Sequence, residues 1–150
     1  MSNRSPATSA RVIEFERGAY DAIVEHAREG APEEVCGVLG GVAGETCSRV
    51  RTVRRAENAA ERPKTRYAIA PAEAIELIEG VEAEGDLVGF YHSHPAGPPE
   101  PSETDAARAA WPGASYVIVA LGGEPCVGAW RWTDGDGFEA ETVGMLPAER

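Results

Sequence analysis

The segment Asp86-Leu-Val-Gly-Phe-Tyr-His92-Ser93-His94-Pro95-Ala-Gly-Pro-Pro-Glu-Pro101-Ser102-Glu-Thr-Asp105 changes character twice within 20 residues. Leu87, Val88, Phe90 and Tyr91 predict a strand that leads into His92. Pro95 to Pro101 holds four of the 11 prolines, which excludes helix and central strand, so a rigid loop follows the histidines. Ser102-Glu-Thr-Asp105-Ala-Ala-Arg-Ala-Ala110 then opens a helix. One residue separates His92 from His94, so at a strand end both imidazoles project from one face, within reach of a single metal ion. Asp105 lies one turn into the helix. Two imidazoles and a carboxylate suit Zn²⁺ and leave a fourth position for water, the pattern of a catalytic site. The same residues permit plainer readings. Ser102-x-x-Asp105 is close to a capping box, and histidines at strand ends often bond only to backbone.

Outward from this segment, Arg11 to Phe15 predicts a short strand. Glu16 to Glu29 predicts a helix with Tyr20, Ile23, Val24 and Ala27 on its apolar face, closed by Gly30 and Pro32. His26, alone in that helix, reads as a surface or boundary residue. Val35 to Gly41 and Thr46 to Arg54 predict a hairpin through Ala43-Gly44-Glu45. Asn58 to Lys64 reads as a loop, Arg66 to Ile69 as a strand, and Pro71 to about Glu84 as a helix with Ala74, Ile75, Ile78 and Val81 buried. Ser115 to Leu121, Pro125 to Trp132 and Phe138 to Val143 complete the strands. Hairpins mixed with crossovers imply an α+β domain, a mixed β-sheet with packed helices. The domain is expected over residues 11–145, between a flexible N-terminus at 1–10 and a tail at 146–150.

The 150 residues are enough for one hydrophobic core. The longest apolar run, Tyr116 to Leu121, is far too short for a membrane span, and no signal peptide is visible, so a soluble, cytoplasmic protein is expected. Fourteen basic against 25 acidic residues give a net charge of −11, which argues against nucleic acid as a partner. Cys36, Cys47 and Cys126 form no C-x-x-C pair, so buried free thiols are expected and a thiolate zinc knuckle is not. Trp111, Trp130 and Trp132 are assigned to core and sheet surface.

His92-Ser93-His94-Pro95, six residues, then Ser102-x-x-Asp105 resembles the motif of the JAMM metalloproteases, also called MPN+ or JAB domains. Ala31-Pro-Glu-Glu34-Val-Cys-Gly-Val-Leu-Gly40 resembles the family's early glutamate beside a Cys-Gly pair, and Asn58, Pro63 and Tyr67 fit its middle segment. The resemblance covers about Arg11 to Val143. It implies the JAB/MPN fold, which is cytidine-deaminase-like, and one zinc ion per chain held by His92, His94 and Asp105. It further implies that a zinc-activated water is the nucleophile and that Glu34 takes its proton and returns it to the leaving amine. Glu33 is one residue out of register. Ser102 is implied to orient the water or donate to the oxyanion, and no second histidine and acid remain to make it a triad serine.

Archaeal members of this family act on small archaeal modifier proteins, and 13 arginines against one lysine on an acidic chain resemble a halophilic archaeal composition. The expected activity is therefore removal of a ubiquitin-like modifier from lysines of target proteins. One alternative keeps the chemistry but releases cysteine from a sulfur-carrier protein. Another is a non-catalytic MPN scaffold, which usually lacks a histidine or the aspartate. No oligomeric state is read from the sequence. H-E-x-x-H, the P-loop pattern and the zinc-deaminase pattern are absent. A modifier tail ending in Gly-Gly must lie extended to reach the zinc, gaining backbone bonds at an exposed edge, with Arg55 to Arg66 and Pro95 to Pro101 as walls.

Overall fold

The computed structural model describes residues 11–109 and 111–147. The expected flexible stretch at 1–10, the helix end at Ala110 and residues 148–150 of the expected tail lie outside the described residues. The described elements run β1 (Val12–Phe15), α1 (Arg17–Gly30), β2 (Cys36–Val42), β3 (Cys47–Ala56), α2 (Pro71–Glu82), β4 (Asp86–His94), α3 (Glu103–Arg108), β5 (Ser115–Ala120), β6 (Cys126–Thr133) and β7 (Gly137–Met145). The sheet is mixed and the fold is α+β. Strand order is β1-β3-β2-β4-β5-β6-β7, and β1 also pairs with β7, so the sheet closes on itself. The pairs β1–β3, β1–β7 and β4–β5 are parallel and the others antiparallel. Sequence periodicity carries no signal for that closure, which joins Val12 to Thr142.

Two apolar clusters hold the helices to the sheet. Ile23, Val24 and Ala27 of α1 pack with Ile13, Phe15, Leu39, Val50 and Val117, while Ile78 and Val81 of α2 pack on Val38. Burying each of the larger of these side chains is worth about 1.5–3 kcal/mol, enough to fix a helix whose intrinsic stability is marginal. Opposite the Leu39/Gly40 step the pairing passes from Gly89 to Leu87 and skips Val88. This bulge reverses the alternation of β4, so Leu87 and Phe90 face α2 while Val88 and Tyr91 face the α1 side. Beyond it, His92 and His94 share Phe90's face and Ser93 shares Tyr91's.

Four expectations need correction. Arg66 to Ile69 lies outside every strand, because its backbone is bonded to the 58–59 turn: Ala68 N–H donates to Asn58 Oδ1 and the Ala68 carbonyl accepts from Ala59. In α2, Ile75 is 59% exposed, and Leu77 takes its place beside Ile78. Among the cysteines only Cys36 is buried; Cys47 and Cys126 open β3 and β6 and are exposed. Trp111, expected in the core or on the sheet, lies outside the strands and is 44% exposed. His26 is half-buried on α1, its Nδ1 2.7 Å from the Tyr91 hydroxyl. No described helix is long and apolar enough to cross a membrane.

Candidate active site

The last residues of β4 bring His92 and His94 together, with their Nε2 atoms 3.2 Å apart. Asp105 Oδ2 lies 3.1 Å from each of them. Neighbouring ligands of a tetrahedral zinc, with bonds of about 2.0–2.1 Å, sit about 3.3 Å apart. A triangle with edges of 3.1–3.2 Å is therefore the size of one face of such a shell. His94 Nδ1 donates to the Pro98 carbonyl at 2.7 Å, which turns the Nε2 lone pair of the neutral ring toward Asp105 and His92. The donor set fits a zinc ion.

Electrostatics point the same way. Burial opposes charge on His92 and outweighs the Asp105 contact, so its pKa falls below the ordinary imidazole value. Burial also opposes charge on His94, but the bonds to Asp105 and Pro98 prevail and its pKa rises. Burial opposes ionisation of Asp105 as well, yet the two histidines hold its carboxyl far below the usual range. An ion at this point competes with protons for the same lone pairs, so its binding releases them.

The capping and ligand readings of Asp105 turn out to be compatible. Ser102 Oγ accepts the Asp105 N–H at 3.0 Å, and Asp105 Oδ2 accepts the Ser102 N–H at 2.9 Å, a complete capping box. The same Oδ2 faces the histidines, so the cap fixes the side chain that meets them. The proline loop between the two halves rests on β6, where Trp130 Nε1 donates to the Pro99 carbonyl at 3.2 Å. A Cβ on Gly128 would collide with that carbonyl, so only glycine lets the loop lie this close.

Glu34 belongs to the connection before β2, not to the strand itself. Three attachments aim it. Val35 N–H donates to Ser93 Oγ at 2.9 Å and its carbonyl accepts the Ser93 N–H at 3.0 Å, locking the connection to the residue between the histidines. Glu34 N–H donates to the Pro63 carbonyl at 2.7 Å, and its own carbonyl accepts Asn58 Nδ2 at 2.9 Å. Its residue is 7% exposed, whereas Glu33 is exposed. Burial pushes the Glu34 pKa up to about 7, with His94 pulling it down and Asp105 pushing it up. Glu34, His94 and Ser102 line one cleft of about 350 Å³, between Lys64-Thr65 and the proline loop. A separate apolar groove of about 270 Å³ is lined by Tyr67, Ile69, Ile78, Phe90, Trp111 and Tyr116.

Two side chains at the site escaped the residue-by-residue reading. Asn58 also donates Nδ2 to the Arg66 carbonyl at 2.9 Å and accepts from Ala60 and Ala68, so one amide braces Glu34 and the turn opposite it. Tyr67 stacks on His92 with centroids 4.3 Å apart. Their only signal in the sequence is their fit to the middle segment of the family pattern. The expected exposed edge is not found at β4, which is paired on both sides, by β2 and β5.

Comparison with known proteins agrees with this geometry. Residues 16–133 match the family described as prokaryotic homologs of the JAB domain. The desampylase of Haloferax volcanii is 43% identical over 146 residues, covering 92% of this chain and 99% of that protein. The CysO-cysteine peptidase of Mycobacterium tuberculosis is 37% identical over 110 residues, covering 72% and 73%. The solution structure of protein DSY2949 from Desulfitobacterium hafniense superposes with a TM-score of 0.81 at 27% identity, covering 91% of this chain and 94% of that one. A histidine pair and capped aspartate converging beside a buried glutamate, on a fold and sequence shared with these proteins, make this chain a member of the prokaryotic JAB-domain family.

Proposed function

We propose that the protein is a zinc-dependent isopeptidase that cleaves the bond between the terminal glycine of a small ubiquitin-like modifier and a lysine of its target. The observation that carries this reading is the convergence of His92 Nε2, His94 Nε2 and Asp105 Oδ2 in the cleft that also receives Glu34. Those three residues would hold the ion, which when bound lowers the pKa of a water from about 15.7 toward ~7 and polarises a carbonyl. Glu34, its pKa pushed up to about 7 by burial, accepts the water's proton and delivers it to the departing lysine amine. Ser102 holds Asp105 through the capping box, and its hydroxyl lines the cleft where an oxyanion develops. The cleft between Lys64-Thr65 and the proline loop is where the terminal glycine of the modifier would lie.

A second reading, hydrolysis of a carrier–cysteine adduct, is supported by the 37% identity to CysO-cysteine peptidase. The full donor set argues against a scaffold without activity. The deciding experiment offers zinc-loaded protein a modifier–lysine conjugate and a carrier–cysteine adduct side by side. Preferential cleavage of the first is expected; preference for the second installs the alternative, and inertness toward both leaves the scaffold.

A further inference from the structure

The chain carries 13 arginines and a single lysine, Lys64. For an enzyme that acts on lysine isopeptides the difference is chemical, since a guanidinium stays protonated and accepts no acyl group whereas a lysine amine does. A surface whose cations are nearly all arginine offers a carboxyl-activated modifier almost no side-chain amine to join. The one exception sits at the catalytic cleft. Pro63 is fastened to Glu34 by the 2.7 Å bond between its carbonyl and the Glu34 N–H, and Lys64 is the next residue. Lys64 is exposed and makes no ion pair among the described residues. It lines the same cleft as Glu34, His94 and Ser102.

Resting on the isopeptidase reading above, we infer that Lys64 is this chain's own side-chain acceptor for the modifier it removes, and that a modifier joined there lies in the cleft that cleaves it. Joining requires an activated modifier, of which a C-terminal glycyl thioester is the simplest class. Lys64 Nζ attacks the thioester carbonyl, the C–N bond forms, the C–S bond breaks, and the amine proton leaves with the sulfur as a thiol. Removal adds water to the same carbonyl and breaks the C–N bond. Glu34 passes the water's proton to Nζ, and the modifier departs as a carboxylate. While the amide lasts, the cleft is filled and other conjugates are shut out. Because base and amide share one chain, removal is a first-order process whose rate does not depend on enzyme concentration.

The test incubates zinc-loaded wild type, Glu34→Gln and the double variant Glu34→Gln, Lys64→Arg with a synthetic peptide thioester ending in Gly-Gly. Zinc content checks that each variant is folded. Hydroxylamine strips thioesters from the exposed Cys47 and Cys126 and spares amides; intact mass and peptide mapping then count and locate adducts. Glu34→Gln should retain one resistant adduct, on Lys64, and the double variant none. Wild type should lose the Lys64 adduct faster than Glu34→Gln by the roughly 10²–10⁴-fold expected of a general base, at a rate unchanged on dilution. Resistant adducts elsewhere with Lys64 bare, or equal lifetimes on wild type and Glu34→Gln, would overturn the inference. A parallel arm gives wild type a Gly-Gly peptide joined to a lysine Nε. If that amide survives, the isopeptidase reading itself fails; if it is cleaved while Lys64 stays bare on Glu34→Gln, only the self-modification inference fails.

Discussion

Glu34 and Asp105 are carboxylates of one site that their surroundings drive in opposite directions, one up to about 7 and the other far below its ordinary range. That separation suits the roles proposed for them, since a group that exchanges protons near neutral pH serves as base and acid while a permanently ionised one serves as ligand. Glu34→Gln should therefore keep its zinc and lose activity by roughly 10²–10⁴-fold, with Glu33→Gln close to wild type. A dead Glu33→Gln beside an active Glu34→Gln would move the base by one residue. Replacing His92, His94 or Asp105 with alanine should instead lose most of the metal, read by elemental analysis, and stoichiometric zinc in Asp105→Ala would leave that residue only its cap. Glu34 also makes stability depend on pH. Between its ordinary 4.5 and about 7 the folded chain keeps a proton that the unfolded chain has released. Its contribution is thus full below 4.5 and is lost as pH rises through 7. In metal-free protein the melting temperature of wild type minus that of Glu34→Gln should fall between about pH 5 and pH 8. A flat difference would mean that Glu34 is solvated.

At the scale of elements, the three residues proposed as ligands were legible because each rides on a regular structure with a short-range signature. His92 and His94 follow from the alternation of β4, and Asp105 from the capping box of α3. Glu34 was singled out through its place beside Cys36-Gly37, but what holds it is non-local. Ser93 holds the neighbouring Val35 from 58 positions away and Asn58 holds the Glu34 carbonyl from 24, in bonds that no periodicity records. The same bracing explains why Arg66 to Ile69, strand-like in composition, is not a strand: side chains can imply a pleated surface, yet a neighbour must be present to pair with it. Asn58→Ala should release Glu34 and the Tyr67 turn together. The expected outcome is a fall in kcat of the order of 10²-fold, as misplacement by about an ångström produces, with zinc content unchanged. Loss of zinc in that variant would show that Asn58 supports the histidine face instead.

Across the whole molecule, net charge −11 conceals a local reversal. Arg49, Arg51, Arg54 and Arg55 are each paired with a glutamate, whereas Arg62, Lys64 and Arg66 are exposed and make no ion pair among the described residues, and Lys64 between the two arginines lines the cleft. Reversing Arg62 and Arg66 to glutamate should raise KM for a folded acidic modifier and leave a short Gly-Gly-lysine peptide nearly unaffected. Added salt should do the same to wild type, because exposed charges are screened beyond about 8 Å at physiological ionic strength. Equal losses on both substrates would mean that the segment shapes the catalytic cleft itself. The fold class was legible from the alternation of hairpins and crossovers; the closing contact was not, because it joins the two ends of the domain. That contact sets the order of assembly. β1 is four residues long and bonds to β3 on one side and β7 on the other, so it can pair with β3 early but its second edge is not satisfied until β7, the last strand, is in place. Until the gap closes β3, paired with β2, and β7, paired with β6, do not both have a partner on their second edge, and an intermediate caught at this stage is the species prone to join a second molecule through an open edge.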